Sequence, residues 1–138
     1  MQKPSPNLPC PCGSKFKYKK CCQKYHKGAL PSTAEQLMRS RYSAYAFGLA
    51  EYIIKTTHPD NSDYTEACAQ WREDIMHFCK GTSFLGLKVL EFTDGEREAY
   101  VTFEAALSSG LLKEKSRFLK ENGRWLYVDG DFTVPENG

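Results

Sequence analysis

The spacing of apolar residues between positions 33 and 80 predicts three helices. Residue types that favour helix ends bound these segments. The first and third predicted helices begin with the spacing of a capping box. A glycine follows the first helix and a proline follows the second. The predicted helices cover about Thr33 to Phe47, Leu49 to Thr56 and Asp63 to Lys80, and the capping boxes are Ser32 with Glu35 and Asp63 with Glu66.

Beyond Gly81 the apolar period changes from helical spacing to alternation, which predicts strands. Two turn signals, Asp94-Gly95 and Asn122-Gly123, lie between predicted strands. The order is three helices followed by four antiparallel strands, an α+β arrangement in which the helices cover one face of the sheet. The strands are predicted from about Leu85 to the first turn, from Ala99 to Ala105, from Leu112 to Lys120 and from Trp125 to Asp131.

The turns also predict which residues face each other across the sheet. A two-residue loop at Asn122-Gly123 fixes the last hairpin. At Asp94-Gly95 we prefer a three-residue loop with Gly95 in the left-handed conformation, because this loop aligns the apolar positions of both strands. The expected pairs are Leu85, Leu87 and Val89 with Phe103, Val101 and Ala99 in the first hairpin, and Phe118 with Tyr127, Ser116 with Asp129, Leu119 with Leu126 and Arg117 with Val128 in the last.

Charge divides the 138-residue chain unevenly. The formal net charge is +2, but residues 1–28 carry seven lysines and no acidic residue, which leaves 12 basic and 17 acidic residues in the remainder. We therefore divide the chain into a basic arm with its linker, residues 1–28, and an α+β domain, residues 29–138. Residues 23–31 are expected to be a linker in which His26 is solvated. The arm either contacts an acidic partner or keeps an exposed segment soluble, and both interpretations stay open.

The start of the chain has no secretory signal pattern, and no stretch approaches the ~20 apolar residues of a membrane-spanning helix. We therefore expect a cytoplasmic protein without a membrane span. A reducing compartment disfavours disulfides, so metal binding or catalysis becomes the usual reason for clustered cysteines.

Four of the six cysteines lie in "CPCGSKFKYKKCC", residues 10–22. Four thiolates within reach of one point can form the closed tetrahedral site of a structural zinc ion, and such a site orders a segment that has no core of its own. A disulfide, an iron–sulfur cluster and copper(I) are the alternatives for the same thiols, and zinc is preferred. Nearby lysines would partly offset the negative charge of the site and could also bind a partner. The predicted metal ligands are Cys10, Cys12, Cys21 and Cys22, and the predicted partner-binding residues are Lys15, Lys17, Lys19 and Lys20.

The same stretch resembles the SEC-C motif, a small zinc-binding module found at the C-terminal end of the bacterial translocase ATPase SecA and on many otherwise unrelated proteins. Lys15 and Phe16 stand where the motif usually has Gly-Lys. SEC-C modules resemble one another in contacting proteins such as the export chaperone SecB and ribosomal surfaces, so the resemblance implies a protein or ribonucleoprotein partner. The matching positions are Cys10, Cys12, Gly13, Ser14, Tyr18, Lys20, Cys21 and Cys22.

Residues 37–59, "LMRSRYSAYAFGLAEYIIKTTHP", and 116–130, "SRFLKENGRWLYVDG", resemble the YchJ family of uncharacterised bacterial proteins. The resemblance implies a cystatin-like cone, similar to nuclear transport factor two and ketosteroid isomerase, preceded by the zinc arm. In this fold three helices wrap a curved antiparallel sheet with a pocket between them. The exposed convex face of such a sheet permits a homodimer.

Arg41 lies on the face of the first helix that is expected to be buried, at helical spacing from Leu37 and Tyr45. A buried guanidinium needs an acidic partner, for which Asp129 and Glu104 are the candidates. We prefer a structural Arg41–Asp129 pair to a catalytic Asp129, because no complete acid–base set can be placed by spacing. The predicted pocket residues are Arg41, Tyr42, Tyr45, His58, Trp71, Tyr127 and Asp129.

Three functional hypotheses follow. The preferred one is a non-enzymatic binding protein, in which the zinc-ordered basic arm contacts a partner. The alternative is a small-molecule-binding protein or enzyme that uses the pocket around Arg41, Tyr45 and Asp129. The third is a structural or stress-related zinc protein with no dedicated ligand.

Overall fold

The computed structural model describes residues 1–133, so the last five residues of the predicted 29–138 domain lie outside the described part of the chain. A short 3₁₀ helix, Tyr18–Lys20, and four α-helices precede a four-stranded antiparallel sheet. The predicted order of helices followed by strands is confirmed. The elements are α1 (Gln23–His26), α2 (Ala34–Phe47), α3 (Ala50–Lys55), α4 (Cys68–Gly81), β1 (Phe84–Thr93), β2 (Glu98–Leu107), β3 (Gly110–Glu121) and β4 (Arg124–Thr133).

Helix α2 has the predicted length, but its capping box lies one residue further along the chain. Thr33 is the N-cap and accepts a hydrogen bond from the Gln36 backbone N–H at 3.2 Å, while the Gln36 side chain accepts one from the Thr33 N–H. Glutamine can close a capping box as well as glutamate can. The predicted box of Ser32 with Glu35 is therefore wrong. The helix ends at Gly48, whose φ of 71° is the left-handed C-cap conformation.

Helix α4 begins at Cys68, five residues later than predicted. Its N-cap residue is Ala67, and no side chain caps it. Residues 59–67 instead form turns held by short-range bonds, such as the Asp63 N–H donating to Asn61 Oδ1 at 2.8 Å. The second predicted capping box, Asp63 with Glu66, therefore does not form.

The sheet order is β1-β2-β3-β4, with each strand beside its neighbours in sequence. Asn122 and Gly123 both have positive φ, 52° and 78°, as a two-residue hairpin turn requires. The predicted pairs Phe118–Tyr127 and Leu119–Leu126 are confirmed. A bulge then shifts the register, so that Arg117 faces Asp129 and Ser116 faces Gly130. The two outer predicted pairs are therefore wrong by one residue.

The predicted register of the first hairpin is wrong by four positions in the partner strand. Val89 faces Phe103 instead of Ala99, and Leu87 faces Ala105 instead of Val101. A four-residue loop, one residue longer than predicted, connects Thr93 to Glu98, and a bulge lies between Val89 and Glu91. Gly95 does not have positive φ, so the predicted three-residue loop with a left-handed Gly95 does not form.

The core lies between α2 and the inner face of the sheet, with a second cluster among α2, α3 and α4. Phe118 is fully buried at the centre of the helix–sheet layer. In the described residues no helix is long and apolar enough to span a membrane. The helix–sheet cluster contains Leu37, Met38, Val101, Phe118 and Trp125, and the helical cluster contains Ala44, Ile53, Trp71, Ile75 and Cys79.

Candidate functional site

Two short backbone features bring the four cysteines of the arm together. The segments before and after Gly13 pair through the Cys10 N–H donating to the Phe16 carbonyl and the Tyr18 N–H donating to the Leu8 carbonyl, both at 2.9 Å. The 3₁₀ helix Tyr18–Lys20 then turns the chain back, with the Cys21 N–H bonded to the Tyr18 carbonyl. This folding places Cys21 and Cys22 against Cys10 and Cys12.

The four sulfur atoms have the spacing of ligands around one ion. All four Sγ atoms lie within 4.8 Å of one another. The Cys12–Cys21 distance is 3.5 Å and the Cys21–Cys22 distance is 3.9 Å. A tetrahedral site with metal–sulfur bonds of about 2.3 Å needs sulfurs about 3.8 Å apart, so the arrangement fits one four-coordinate ion. All six cysteines are free thiols, so the disulfide alternative does not apply here.

Helix α2 supplies hydrogen bonds to the cysteine cluster. The Ser43 hydroxyl lies 3.3 Å from Cys10 Sγ and donates to Cys22 Sγ at 3.4 Å. Within the arm, the Ser14 hydroxyl lies 3.1 Å from Cys21 Sγ. Such donors orient thiolates and offset their charge, which is the role of residues around a metal site. Spacing within the arm could not reveal Ser43, because it lies 21 residues beyond Cys22.

Hydrogen bonds among the thiols make the four cysteines unequal as acids. The pKa of Cys12 is lowered, and the largest cause is its hydrogen bond with the Cys10 thiol. The pKa of Cys22 is raised, and the largest cause is again the hydrogen bond with Cys10. The first negative charge in the cluster therefore falls most readily on Cys12, and further thiolates there need a positive ion beside them.

The arm packs against the domain. Tyr18 is buried edge-on to Phe47 of α2, with ring centroids 4.9 Å apart. Gly13 has φ 78° and lies so close to the Leu87 carbonyl that a Cβ atom would not fit. The Arg39 guanidinium donates to the Cys12 carbonyl at 2.8 Å. The cysteine cluster therefore shares a buried layer with α2 and β1.

The predicted linker is ordered where it follows the cysteines. Residues Gln23–His26 form α1, and its Tyr25 is buried in the helical core. His26 Nδ1 lies 2.6 Å from the Tyr18 hydroxyl, and its Nε2 lies 2.8 Å from the Ser40 carbonyl. The expectation of a solvated His26 was wrong, because this histidine bridges the arm and α2. Burial lowers its pKa, which favours the neutral ring.

The predicted partner-binding lysines are exposed around the turn of the arm. None of them has a carboxylate within 4 Å among the described residues. Two apolar side chains of the same segment are also exposed, Phe16 at 64% and Leu8 at 60%. The sequence did not predict the exposure of these two side chains. The exposed lysines are Lys15, Lys17, Lys19 and Lys20.

A cavity of about 500 Å³ lies between the helices and the inner face of the sheet. Five of the seven predicted pocket residues border it, and His58 and Trp71 do not. His58 is buried, with its Nε2 2.6 Å from Glu121 Oε1, and Trp71 packs among the helices. The residues that border the cavity as predicted are Arg41, Tyr42, Tyr45, Tyr127 and Asp129.

The predicted acidic partner of Arg41 is wrong. Asp129 instead accepts two hydrogen bonds from the half-buried Arg117 guanidinium, at 3.0 and 3.1 Å, because the bulge in β4 moves it opposite that residue. Glu104 lies between Lys88 and Lys113 on the neighbouring strands. Glu114 is a buried acid at the cavity, with only 6% of its surface exposed.

Sequence comparisons match both parts of the chain. The family model for the middle NTF2-like domain of YchJ matches residues 33–130, and the SEC-C motif model matches residues 7–24. The chain belongs to the YchJ family. A UPF0225 protein of Streptomyces coelicolor is 40% identical over 131 residues, which is 92% of this chain and 98% of that protein. One of Sodalis glossinidius is 42% identical over 137 residues, or 92% of this chain and 85% of that protein.

Solved structures agree with the YchJ assignment. The solution structure of a SEC-C motif-containing protein from Rhodopseudomonas palustris has a TM-score of 0.79 at 30% identity, covering 92% of this chain and all of that one. The crystal structure of a SEC-C motif-containing protein from Psychrobacter arcticus has a TM-score of 0.72 at 30% identity, covering 97% of this chain and 86% of that one. These two SEC-C motif-containing proteins therefore share the α+β fold of this chain.

Proposed function

We propose that this YchJ-family protein is a non-enzymatic interaction module, in which a zinc ion held by Cys10, Cys12, Cys21 and Cys22 orders a basic surface that binds an acidic partner. The partner is a protein or a ribonucleoprotein. The observation that carries the proposal is the combination of four closely spaced thiols with a turn of exposed lysines around Phe16.

Zinc is the ion that best suits the cluster. Four sulfur ligands in a mostly buried, closed arrangement are typical of structural zinc. An iron–sulfur cluster places several atoms between opposing cysteines, whereas Sγ atoms within 4.8 Å of one another leave room for a single ion. When bound, zinc would neutralise part of the thiolate charge and hold the turn of residues 13–20 in shape.

The surface of the turn combines long-range attraction with a site for close contact. Exposed lysines without acidic neighbours attract a negatively charged surface and accelerate association at low salt. Aromatic side chains, phenylalanine included, are enriched in the buried centres of protein interfaces. Phe16 is exposed and lies between Lys15 and Lys17 in the chain, and the metal would fix it relative to both lysines.

Charge reversal tests the proposed surface. The variant with Lys17, Lys19 and Lys20 changed to Glu should lose the partners that the wild-type protein captures after crosslinking at low salt. The control variant changes Lys80, Lys115 and Lys120 of the domain to Glu, which alters the net charge equally. Mass spectrometry of captured proteins and sequencing of captured RNA measure the result. Equal partner sets for wild type and the arm variant, or equal losses in both variants, would refute the proposal.

A further inference from the structure

The cavity between the helices and the sheet is separate from the cysteine cluster, and its walls are largely aromatic. Rings from α2, α4 and all four strands contribute to it, including Tyr42, Tyr45, Phe78, Phe84 and Phe103. Its volume of about 500 Å³ lies in the range of pockets that hold small organic ligands. The walls can therefore bury an apolar body of that size.

Arg41 provides a positive charge with unused hydrogen-bond donors at this cavity. The residue is 7% exposed, and its Nη1 donates to the Thr56 and Thr57 hydroxyls at 2.8 and 3.2 Å and to the Ile53 carbonyl at 3.1 Å. The guanidinium lies over the Tyr127 ring, 4.7 Å from its centroid. These contacts fix its orientation.

The Nε and Nη2 groups of Arg41 have no acceptor among residues 1–133. No fully buried side-chain nitrogen or oxygen in that part of the chain lacks a partner, so these two groups still reach open space. Arg41 borders the cavity, and the two free donors form the side of the guanidinium that binds carboxylates in a bidentate manner.

Glu114 provides the second polar feature of the cavity. Its Oε2 accepts hydrogen bonds from the Tyr127 hydroxyl at 2.9 Å and from the Ser116 hydroxyl. Its Oε1 has no donor among the described residues, and Glu114 and Arg41 do not form an ion pair within 4 Å. Gly130 leaves the room that the carboxyl group occupies, because a Cβ atom there would overlap it. One oxygen of Glu114 is thus available to a donor group.

We propose that the cavity binds a small carboxylic acid with an apolar or aromatic body and a hydroxyl or amino group next to its carboxylate. The free side of Arg41 binds the carboxylate, the aromatic walls bury the body, and Oε1 of Glu114 accepts a hydrogen bond from the neighbouring group. A ligand with all three features forms hydrogen bonds with the unused groups of Arg41 and Glu114 at the same time. A purely apolar molecule would leave these groups without a partner.

Three probes of the same size separate these contributions in the wild-type protein. We expect 3-phenyllactate to bind most tightly, 3-phenylpropionate more weakly because it lacks the hydroxyl, and 3-phenylpropanol at least about tenfold more weakly than phenyllactate because it lacks the carboxylate. Titrations followed by ¹H–¹⁵N NMR measure the affinities and show whether cavity residues respond. Equal affinity for the alcohol, or no binding of any probe at about 5 mM, would overturn the proposal.

Two variants test the site from opposite directions. Arg41→Lys keeps the charge but loses the bidentate geometry, and should weaken phenyllactate binding at least about tenfold. Ala105→Leu fills the cavity without touching Arg41 and should abolish binding of all three probes. Thermal unfolding of each variant checks the fold. If either variant is folded and binds phenyllactate like the wild type, the site is wrongly assigned. If both variants fail to fold, the three probes on the wild-type protein still test the proposal.

Discussion

Ser43 is the domain residue in closest contact with the thiols. Its hydroxyl contacts the sulfurs of Cys10 and Cys22, one from each half of the motif. A fully buried serine on a helix needs a hydrogen-bond partner, and here the partners come from the arm. Ser43 therefore links the cysteine cluster to α2 through its hydroxyl group.

Removal of this hydroxyl should weaken metal binding. We expect Ser43→Ala to lower metal affinity by about 10–100-fold, because its hydrogen bonds orient and stabilise the thiolates. Competition with a chromophoric chelator measures the change. Ser40→Ala is the matched control, since that buried hydroxyl bonds the Leu37 carbonyl and lies 2.7 Å from the Tyr52 hydroxyl. A similar loss in both variants would mean that the effect is one of packing.

Lys15 has an unfavourable backbone conformation within the motif. It has φ 74°, a left-handed conformation that favours glycine, and glycine is the usual residue there in the SEC-C motif. Compared with the usual Gly-Lys, the departure therefore moves the lysine to the left-handed position 15 and places an aromatic side chain at position 16.

Helices and strands were predictable where the residue pattern acts locally. The apolar periods of α2 and α3 and the Asn122-Gly123 turn specify their own elements. The register of the first hairpin was not predictable, because it depends on a bulge near Leu90 and on a four-residue turn, neither of which the apolar alternation specifies. The four cysteines could be predicted as a site from spacing alone, whereas Ser43, His26 and their contacts depend on how the arm docks.

Glu114 of β3 lies on the inner face of the sheet, and the alternation of residues along the strand predicts this position. Glu114 and Ser116 alternate with the same period as the fully buried Phe118, so all three point toward the helices. The polar members of this alternation therefore predict pocket residues as directly as the apolar members predict the strand. The position of Asp129 cannot be predicted in the same way, because it depends on the bulge in β4.

Glu114 should make stability depend on pH. Burial raises its pKa, although Ser116, Tyr127 and Arg41 act in the opposite direction. Its contribution to stability is therefore full below the unfolded pKa of about 4.3 and decreases as pH rises through the folded pKa. Relative to wild type, Glu114→Gln should become more stable as pH rises.

Urea unfolding at pH 4 and pH 8 measures this trend. Glu66→Gln, which changes an exposed loop residue, serves as the control. A constant difference in unfolding free energy between Glu114→Gln and wild type across this range would contradict the assignment of a raised pKa.

The whole molecule combines a metal-type cluster, a basic surface and a ligand-sized cavity in one short chain. Contacts of Tyr18, His26 and Arg39 join the arm to α2, so metal binding and domain stability should be coupled. The division of the chain at residue 28 stays a prediction. The two proposed sites are distinct in space, because no cysteine of the cluster borders the cavity.

The central claim is that one zinc ion is held by four cysteine sulfurs. X-ray absorption spectroscopy and elemental analysis of protein purified without added metal test it most directly. We expect one zinc per chain with four sulfur neighbours at about 2.3 Å. Protein that is folded but lacks a stoichiometric metal, or a metal bound mainly by nitrogen or oxygen, would contradict the account.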